Sequence, residues 1–447
     1  MGNGLDTIFK AYDVRGVYPD EIDEDVARRI GNAFAVFTGA ERLVVARDMR
    51  PSSVPLSAAF IEGATLAGAS VVDAGLASTD LMYFAAGRLD APGAMFTASH
   101  NPAQYNGIKL CKAGAAPVGQ DTGLGQIKAA VAEGRLERAA TPGTVSQQDL
   151  VGEFADHVRS FVDVSALAPM TVVADTANGM GGLVVPRVFE GLPFDLTILF
   201  PELDGTFPNH PADPIQSENL RDLQAAIREK SADVGLAFDG DADRVFLVDD
   251  QAQPLSGSLT TSIVAKGILA AHPGETVVHN LICSRAVPDI IREMGGTPVR
   301  TRVGHSFIKG VMAETGAIFG GEHSGHYYFR DNWRADSGII ASLVVLEQLA
   351  QAGVPLSELR KPFERYAASG EINTKVADQK AAMEKVGNAF PDAPKDMLDG
   401  LSIDAGDFWF NVRPSNTEPL LRLNLEAADS DTCARATDQV LGLIREA

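Results

Sequence analysis

Apolar and polar positions follow two rhythms along this chain. Short apolar runs bounded by polar turns, such as Leu43-Val44-Val45-Ala46 and Ser70-Val71-Val72-Asp73, read as buried strands. Between them lie stretches with helical spacing, one running to about residue 38 and a small-residue one from Ala58 to Ala67. The same grammar starts again at Thr171-Val172-Val173-Ala174-Asp175 and at Thr276-Val277-Val278-His279-Asn280. Each of the three units holds a later strand that ends in a polar loop: Ala94-Met95-Phe96 before Ser99, Gly235-Leu236-Ala237-Phe238 before Asp239, and Ala317-Ile318-Phe319 before Glu322. The spacing between units is unequal, which excludes a solenoid. Alternating strands and helices predict mostly parallel sheets covered by helices, with ligands outside the carboxyl ends of the strands.

The pattern changes after about residue 366. Phe408-Trp409-Phe410-Asn411-Val412 and Leu420-Leu421-Arg422-Leu423-Asn424-Leu425 read as paired strands around Arg413–Pro419. A closing helix from about Ser430 carries Ala436, Val440, Leu443 and Ile444 on one face. The expected architecture is therefore three related mixed or parallel-sheet α/β domains (1–143, 144–250 and 251–366) and a smaller α+β C-terminal domain (367–447) around a central cleft. The first boundary rests on the linker-like composition of residues 139–149.

Composition narrows the function. With 45% hydrophobic and 22% charged residues over 447 positions, this is a multidomain globular chain. A formal net charge of -21 and the lack of any Lys/Arg-rich run argue against nucleic-acid partners. Three widely spaced cysteines form neither a disulfide framework nor a zinc site, and they suit a reducing cytoplasm. No signal peptide is expected from Met1–Asp6, and no stretch reaches the ~18 apolar residues of a membrane span. An acidic protein that handles phosphate needs gathered cations or a metal, and the loops supply candidates for both.

Asp239-Gly240-Asp241-Ala242-Asp243-Arg244 carries three carboxylates at alternate positions on a tight loop. They converge only if something offsets their repulsion, as a hard divalent cation does. An EF-hand wants glycine where Arg244 stands and glutamate where Asp250 stands, and it wants flanking helices rather than strands. Magnesium fits better than calcium, since three carboxylates leave room for a phosphate oxygen. Thr97-Ala98-Ser99-His100-Asn101-Pro102 presents a serine on a turn, expected to be exposed, where it can carry a transferable group. Together the two loops suggest metal-assisted phosphoryl transfer.

Four motifs in order, T-A-S-H-N-P (97–102), D-G-D-A-D-R (239–244), G-E-H-S-G-H (321–326) and R-P-S-N-T-E-P (413–419), make the chain resemble the alpha-D-phosphohexomutase superfamily. It is most similar to the phosphomannomutase/phosphoglucomutase branch, and the likeness runs essentially from residue 5 to the end. The resemblance implies that Ser99 holds a phosphoryl group, with Asp239, Asp241, Asp243 and a phosphoserine oxygen around Mg2+. His100, Asn101, Lys109 and Arg244 would surround the transfer site, with Lys109 and His326 as acid/base candidates. Glu322 and Ser324 would bond sugar hydroxyls, and Arg413, Ser415, Asn416 and Thr417 would clamp the phosphate that is not reacting. Tyr12, Arg15 and His305 are further expected substrate contacts.

The implied activity is interconversion of hexose 1-phosphates and 6-phosphates through a hexose 1,6-bisphosphate, in a cytoplasmic monomer or weak homodimer. His323 leans the substrate toward mannose, with glucose possible. Ile282 stands where relatives can carry a sugar-reaching lysine. Rival readings are a phosphoglucosamine mutase and a metal-dependent sugar phosphatase.

Overall fold

The computed structural model describes residues 2–415 and 420–446. Its first three domains repeat one topology. In domain I the strands Tyr105–Lys112, Gly93–Phe96, Arg42–Arg47 and Ser70–Leu76 lie side by side in that order, the last three parallel and the first antiparallel. Domain II places Val245–Asp249, Val234–Phe238, Met170–Asp175 and Phe194–Leu199 in the same order and sense. Domain III does so with Tyr327–Phe329, Phe319–Gly321, Thr276–Asn280 and Thr297–Thr301. Each sequence motif of these domains is thus the link between the third parallel strand and an antiparallel return strand. A rigid hairpin base holds each loop, which is what a site needs.

The first sheet is larger than its repeat. Val14–Val17 pairs antiparallel with Tyr105–Lys112, and Val145–Gln147 pairs parallel with Ser70–Leu76. Residues 145–147 therefore belong to the first sheet, not to a domain beginning at 144. The linker-like composition around them is that of an exposed edge strand, where polar residues are tolerated.

Helices fill the gaps by ordinary rules. Asp23, Ser78, Ser256 and Ser337 cap the helices Glu24–Thr38, Thr79–Arg88, Gly257–Ala271 and Gly338–Ala352, each accepting a backbone N–H. The last two helices carry apolar residues nearly all round and are buried. One apolar core runs through all three domains, from Met82 and Phe84 through Phe154 and Val184 to Ile263 and Leu343. Among the described residues, no single helix is long and apolar enough to cross a membrane.

Domain IV is separate in kind. Its strands Ala367–Lys375, Leu420–Ala427, Phe408–Pro414, Leu401–Asp404 and Lys395–Asp396 form one antiparallel sheet. One face packs on the helices Gln379–Ala389 and Ser430–Arg445 around its own core of Val386, Phe410, Val412, Leu421, Leu423 and Val440.

Candidate active site

Ser99 lies at the base of the junction between domains I and II. The sequence suggested an exposed serine, but Ser99 is only 5% exposed, because the Asp239 loop closes over it. Its Oγ donates to Asp239 Oδ2 at 2.6 Å and accepts from Arg244 Nη2 at 3.0 Å. His100 Nδ1 is 3.3 Å from the same oxygen and also meets Arg244 Nη2. Gly240 makes the approach possible, since a Cβ there would sit 2.5 Å from the Ser99 carbonyl oxygen.

The serine is held in a costly conformation. Its φ of 50° is left-handed, which costs about 1–3 kcal/mol for a residue with a side chain. Arg50 stabilises it. This fully buried guanidinium donates to the carbonyls of Ser99 (2.9 Å), Asn101 (2.6 Å), Pro102 (2.8 Å) and Tyr105 (3.0 Å), and pairs with Asp48 at 3.2 Å. Phe207 covers it at 5.0 Å, and Gly205 packs on its backbone, where a Cβ would lie 2.5 Å from the Arg50 Cα. Arg50 was not singled out from sequence. The available signal was its place after Arg42–Arg47, the strand parallel to and beside Gly93–Phe96, so that both loops leave the sheet together.

The three aspartates converge as expected. Ligand oxygens of Asp239, Asp241 and Asp243 lie within 4.8 Å of one another, all buried. Lys109, on the return strand, donates to Asp241 at 2.8 Å and to Asp243 at 2.6 Å, while Arg244 Nε donates to Asp239 at 3.0 Å. Two cations facing three carboxylates leave one negative charge, and Asp241 Oδ1 and Asp243 Oδ1 are buried with no hydrogen-bond partner among the described residues. The described residues thus form an acidic cluster able to bind a metal, with oxygen donors suited to a hard ion.

Electrostatics follow from that packing. Burial, reinforced by its two neighbouring carboxylates, pushes Asp239 well above the usual range despite Arg244. Burial acts on Asp241 too, but the Lys109 ammonium and the Thr79 hydroxyl overcome it and hold Asp241 low. Lys109 is raised because its two aspartates outweigh burial. Arg244 and burial keep His100 well below its ordinary value, hence neutral. A second group, Asp243, His326 and Asp336, also gathers ligand atoms within 4.8 Å, but Lys309 Nζ at 2.9 Å from Asp336 supplies the positive charge there.

The domain III loop faces this cluster. His326 Nε2 is 3.8 Å from Asp243, and its Nδ1 is 3.0 Å from Ser324 Oγ and 3.4 Å from Glu322. Glu322 is buried and accepts from Tyr328 Oη (2.7 Å), Gly304 N (3.1 Å) and Asn280 Nδ2 (3.2 Å). A carboxylate offers about four acceptor positions, so one remains for a ligand. His323 bonds Ser258 Oγ at 3.0 Å. Tyr12 and His305 meet edge to face at 5.2 Å across the domain I–III boundary, and Arg15 donates to Asn101 Oδ1 at 2.6 Å. Arg15 and Asn101 therefore act as one unit.

Domain IV contributes Arg413, whose Nη2 donates to Glu371 at 2.6 Å, and Ser415, whose backbone N–H bonds Leu420. Asn416 and Thr417 lie outside the described residues. Cys111, Cys283 and Cys433 are buried and free.

The chain matches four family profiles in order. They are "Phosphoglucomutase/phosphomannomutase, alpha/beta/alpha domain I" over residues 6–138, domain II over 152–253, domain III over 256–366, and the C-terminal domain over 371–443. It is 40% identical to a protein of Xanthomonas campestris pv. campestris named for phosphohexose mutases, over 98% of this chain and 99% of that protein. A phosphomannomutase of Escherichia coli is 38% identical over the same shares. A crystal structure of a phosphoglucomutase/phosphomannomutase family protein from Burkholderia thailandensis superposes with a TM-score of 0.90 at 32% identity, covering 100% of this chain and 98% of that one.

Proposed function

The chain belongs to the phosphoglucomutase/phosphomannomutase family, and from that premise we propose that it is a phosphohexomutase whose Ser99 carries the transferred phosphoryl group. The observation that carries this reading is the Ser99 hydroxyl, bonded to Asp239 at 2.6 Å and to Arg244 at 3.0 Å beside two further buried aspartates. Asp239, Asp241 and Asp243 would hold Mg2+, which supplies charge neutralisation for a phosphoryl group on Ser99.

The sugar hydroxyl attacks phosphorus as the Ser99 Oγ–P bond breaks, giving a hexose 1,6-bisphosphate and a free serine. The proton leaving the sugar hydroxyl and the proton gained by Ser99 balance. His326, whose Nε2 is 3.8 Å from Asp243, would be suited to move that proton. Lys109 and Arg244 stay cationic and stabilise the charge spread over the transferring oxygens. The bisphosphate then turns over and returns its other phosphate to Ser99. Glu322 and Ser324 would hold hydroxyls, with Tyr12, Arg15, Asn101 and His305 lining the entry. Arg413 and Ser415, with Asn416 and Thr417, would hold the distant phosphate.

Mannose is the preferred sugar in this reading and glucose the second, supported by the relatives named as phosphomannomutases. A phosphorus NMR time course with magnesium and a trace of hexose 1,6-bisphosphate tests it. Mannose 1-phosphate should become the 6-phosphate at least as fast as the glucose ester. Fast conversion of glucosamine 1-phosphate alone would move the substrate, and inorganic phosphate release without isomerisation would replace the mutase by a phosphatase.

A further inference from the structure

Segment 204–213 of domain II reaches both of the loops that carry the chemistry. On one side Phe207 covers the Arg50 guanidinium at 5.0 Å, and Gly205 packs on the Arg50 backbone. Arg50 in turn holds the Ser99 carbonyl at 2.9 Å. On the other side Ala212 lies against Gly240, where an added Cβ would be 3.5 Å from the Ala212 Cβ. The Asp213 charge also helps to keep Arg244 cationic. The segment has neither helix nor strand of its own, and Phe207 within it and Phe200 before it both have a φ of 53°. That left-handed backbone disfavours residues with side chains, so the segment needs holding from outside.

The turn after strand Met170–Asp175 supplies that hold. Asn178 accepts the Asp204 N–H on its carbonyl at 3.0 Å and the Asn209 amide on its side chain at 2.8 Å. The same turn grips the metal loop, since Met180 N–H donates to the Gly240 carbonyl at 2.9 Å. His210 closes the arrangement. Its Nε2 lies 3.0 and 3.2 Å from the two Asp175 oxygens, and its Nδ1 lies 2.9 Å from the Pro211 carbonyl. A carbonyl and an ionised carboxylate only accept, so both ring nitrogens donate, and an imidazole that donates twice is an imidazolium. The charged groups that face it are Asp175 and, from helix Arg221–Lys230, Asp222, while the Phe200 ring packs edge-on at 5.4 Å. Burial lowers His210, but Asp175, the Pro211 carbonyl and Asp222 outweigh it and raise the ring above its ordinary value.

We propose that His210, as an imidazolium tied to Asp175, is a positioning residue for phosphoryl transfer: it latches segment 204–213 onto the serine loop and the metal loop together. The latch rests on the mutase reading for the reaction it serves. It acts through Arg50 and Gly240 rather than on the reacting atoms. When the ring loses its proton as pH rises, one of its two ties goes, the serine loop loosens and turnover falls.

The test pairs two readouts on the full-length protein. One is steady-state kinetics on mannose 1-phosphate with magnesium and a trace of hexose 1,6-bisphosphate. The other is deuterium uptake by residues 97–105, followed by mass spectrometry. His210→Gln keeps a donor and loses the charge. It should lower kcat roughly tenfold with KM kept within about twofold, and speed exchange of 97–105 about as much. Wild-type kcat should fall as pH rises through the His210 value, and the variant should lack that limb. Asp175→Asn should behave alike, and the two changes together should cost no more than either alone. Asp175→Asn also stands in should His210→Gln not fold. Normal kcat and normal exchange with only a lower melting temperature would make the segment a plain structural support and overturn the latch. So would a pH limb that persists unchanged in His210→Gln. A wild-type protein that isomerises no hexose phosphate removes the mutase reading, yet faster exchange of 97–105 in His210→Gln would still uphold the latch.

Discussion

The junction of domains I to III and the inner face of domain IV both gather cations against carboxylates, yet they are built on opposite terms. At the junction, Arg50, Arg244 and Lys309 are almost wholly buried, their carboxylate partners are too, and one apolar core runs beneath them. Domain IV has its own core and meets domain III through half-exposed pairs. Arg285 and Asp404 are 38% and 41% exposed at 2.7 Å, and Arg300 and Asp396, also paired, are 46% and 36% exposed. Breaking one partner of a buried pair costs about 3–5 kcal/mol, whereas an exposed pair is worth about 0–1 kcal/mol. The first arrangement resists opening and the second permits it. A reacting oxygen needs fixed geometry, and a phosphate that must be gripped, released and gripped again needs a domain that can move.

The sharpest break of the comparison is at Ser99. Ser99→Ala removes the acceptor of the phosphoryl group but only one buried oxygen from the junction. Mutase activity should fall by at least ~10⁴-fold, since loss of a nucleophile removes most of the catalysis, while the melting temperature stays near wild type. Steady-state assay of mannose 1-phosphate conversion checks it. Retention of full activity would falsify the phosphoserine route.

How much of this was legible in the chain follows from the same division. Strand-loop grammar located the three domain loops, because apolar runs ending in Ser99, Asp239 and Glu322 are local signals. The convergence of Asp239, Asp241 and Asp243 was legible too, since alternate positions on a tight loop leave few other outcomes. Burial of Ser99 was not, because it comes from the Asp239 loop some 140 residues away. Strand order was not, and so the edge strand Val145–Gln147 read as a linker. Arg50, Thr79, Lys309 and Asp336 escaped notice since each acts through a partner in another part of the fold. The His210–Asp175 tie needed the fold as well, since its partners stand 35 residues apart with the strand Phe194–Leu199 between them in sequence.

Arg50 offers the next largest effect. Arg50→Met fills similar space, but it leaves Asp48 buried without its cation and frees four loop carbonyls. Stability should drop by about 3–5 kcal/mol, and kcat by roughly 100-fold, the effect of an ångström-scale misplacement. Calorimetry and kinetics read both. If kcat stays within about threefold, the left-handed Ser99 conformation does not depend on Arg50.

At the domain III–IV contact the effect should be milder and of another kind. Arg285 stacks on Trp409 at 4.0 Å and pairs with Asp404, while its backbone N–H serves Glu426. Arg285→Ala removes the first two and keeps the third. KM and kcat should change together by about two- to fivefold, as in hinge and lid variants, with little change in melting temperature. Small-angle scattering should show a more open average shape. Unaltered scattering with unaltered kinetics would mean that this contact does not set the position of domain IV.

The smallest effect is a pH dependence that reports on the rigid half alone. Asp80 is fully buried between domains I and III, accepting from Ser337 Oγ at 2.7 Å, from Leu81 N at 2.9 Å and from Ser78. Ser78 and Ser337 are also the caps of their helices, so one carboxyl ties two helix starts together. Burial outweighs these bonds and pushes Asp80 up to about 7. Its unfolded value is about 3.9. Between those values the folded state binds the extra proton, so stability is present at low pH and is lost as pH rises from about 4 through about 7. Either serine hydroxyl can turn to accept the carboxyl proton, which lets the acid form stay satisfied. Asp80→Asn removes this titration and keeps the shape. Its melting temperature should decline less between pH 5 and 8 than that of the wild type, by a few degrees, read by calorimetry at matched ionic strength. Equal slopes would show that Asp80 stays ionised in the fold, held there by its hydrogen bonds from Ser78, Leu81 and Ser337.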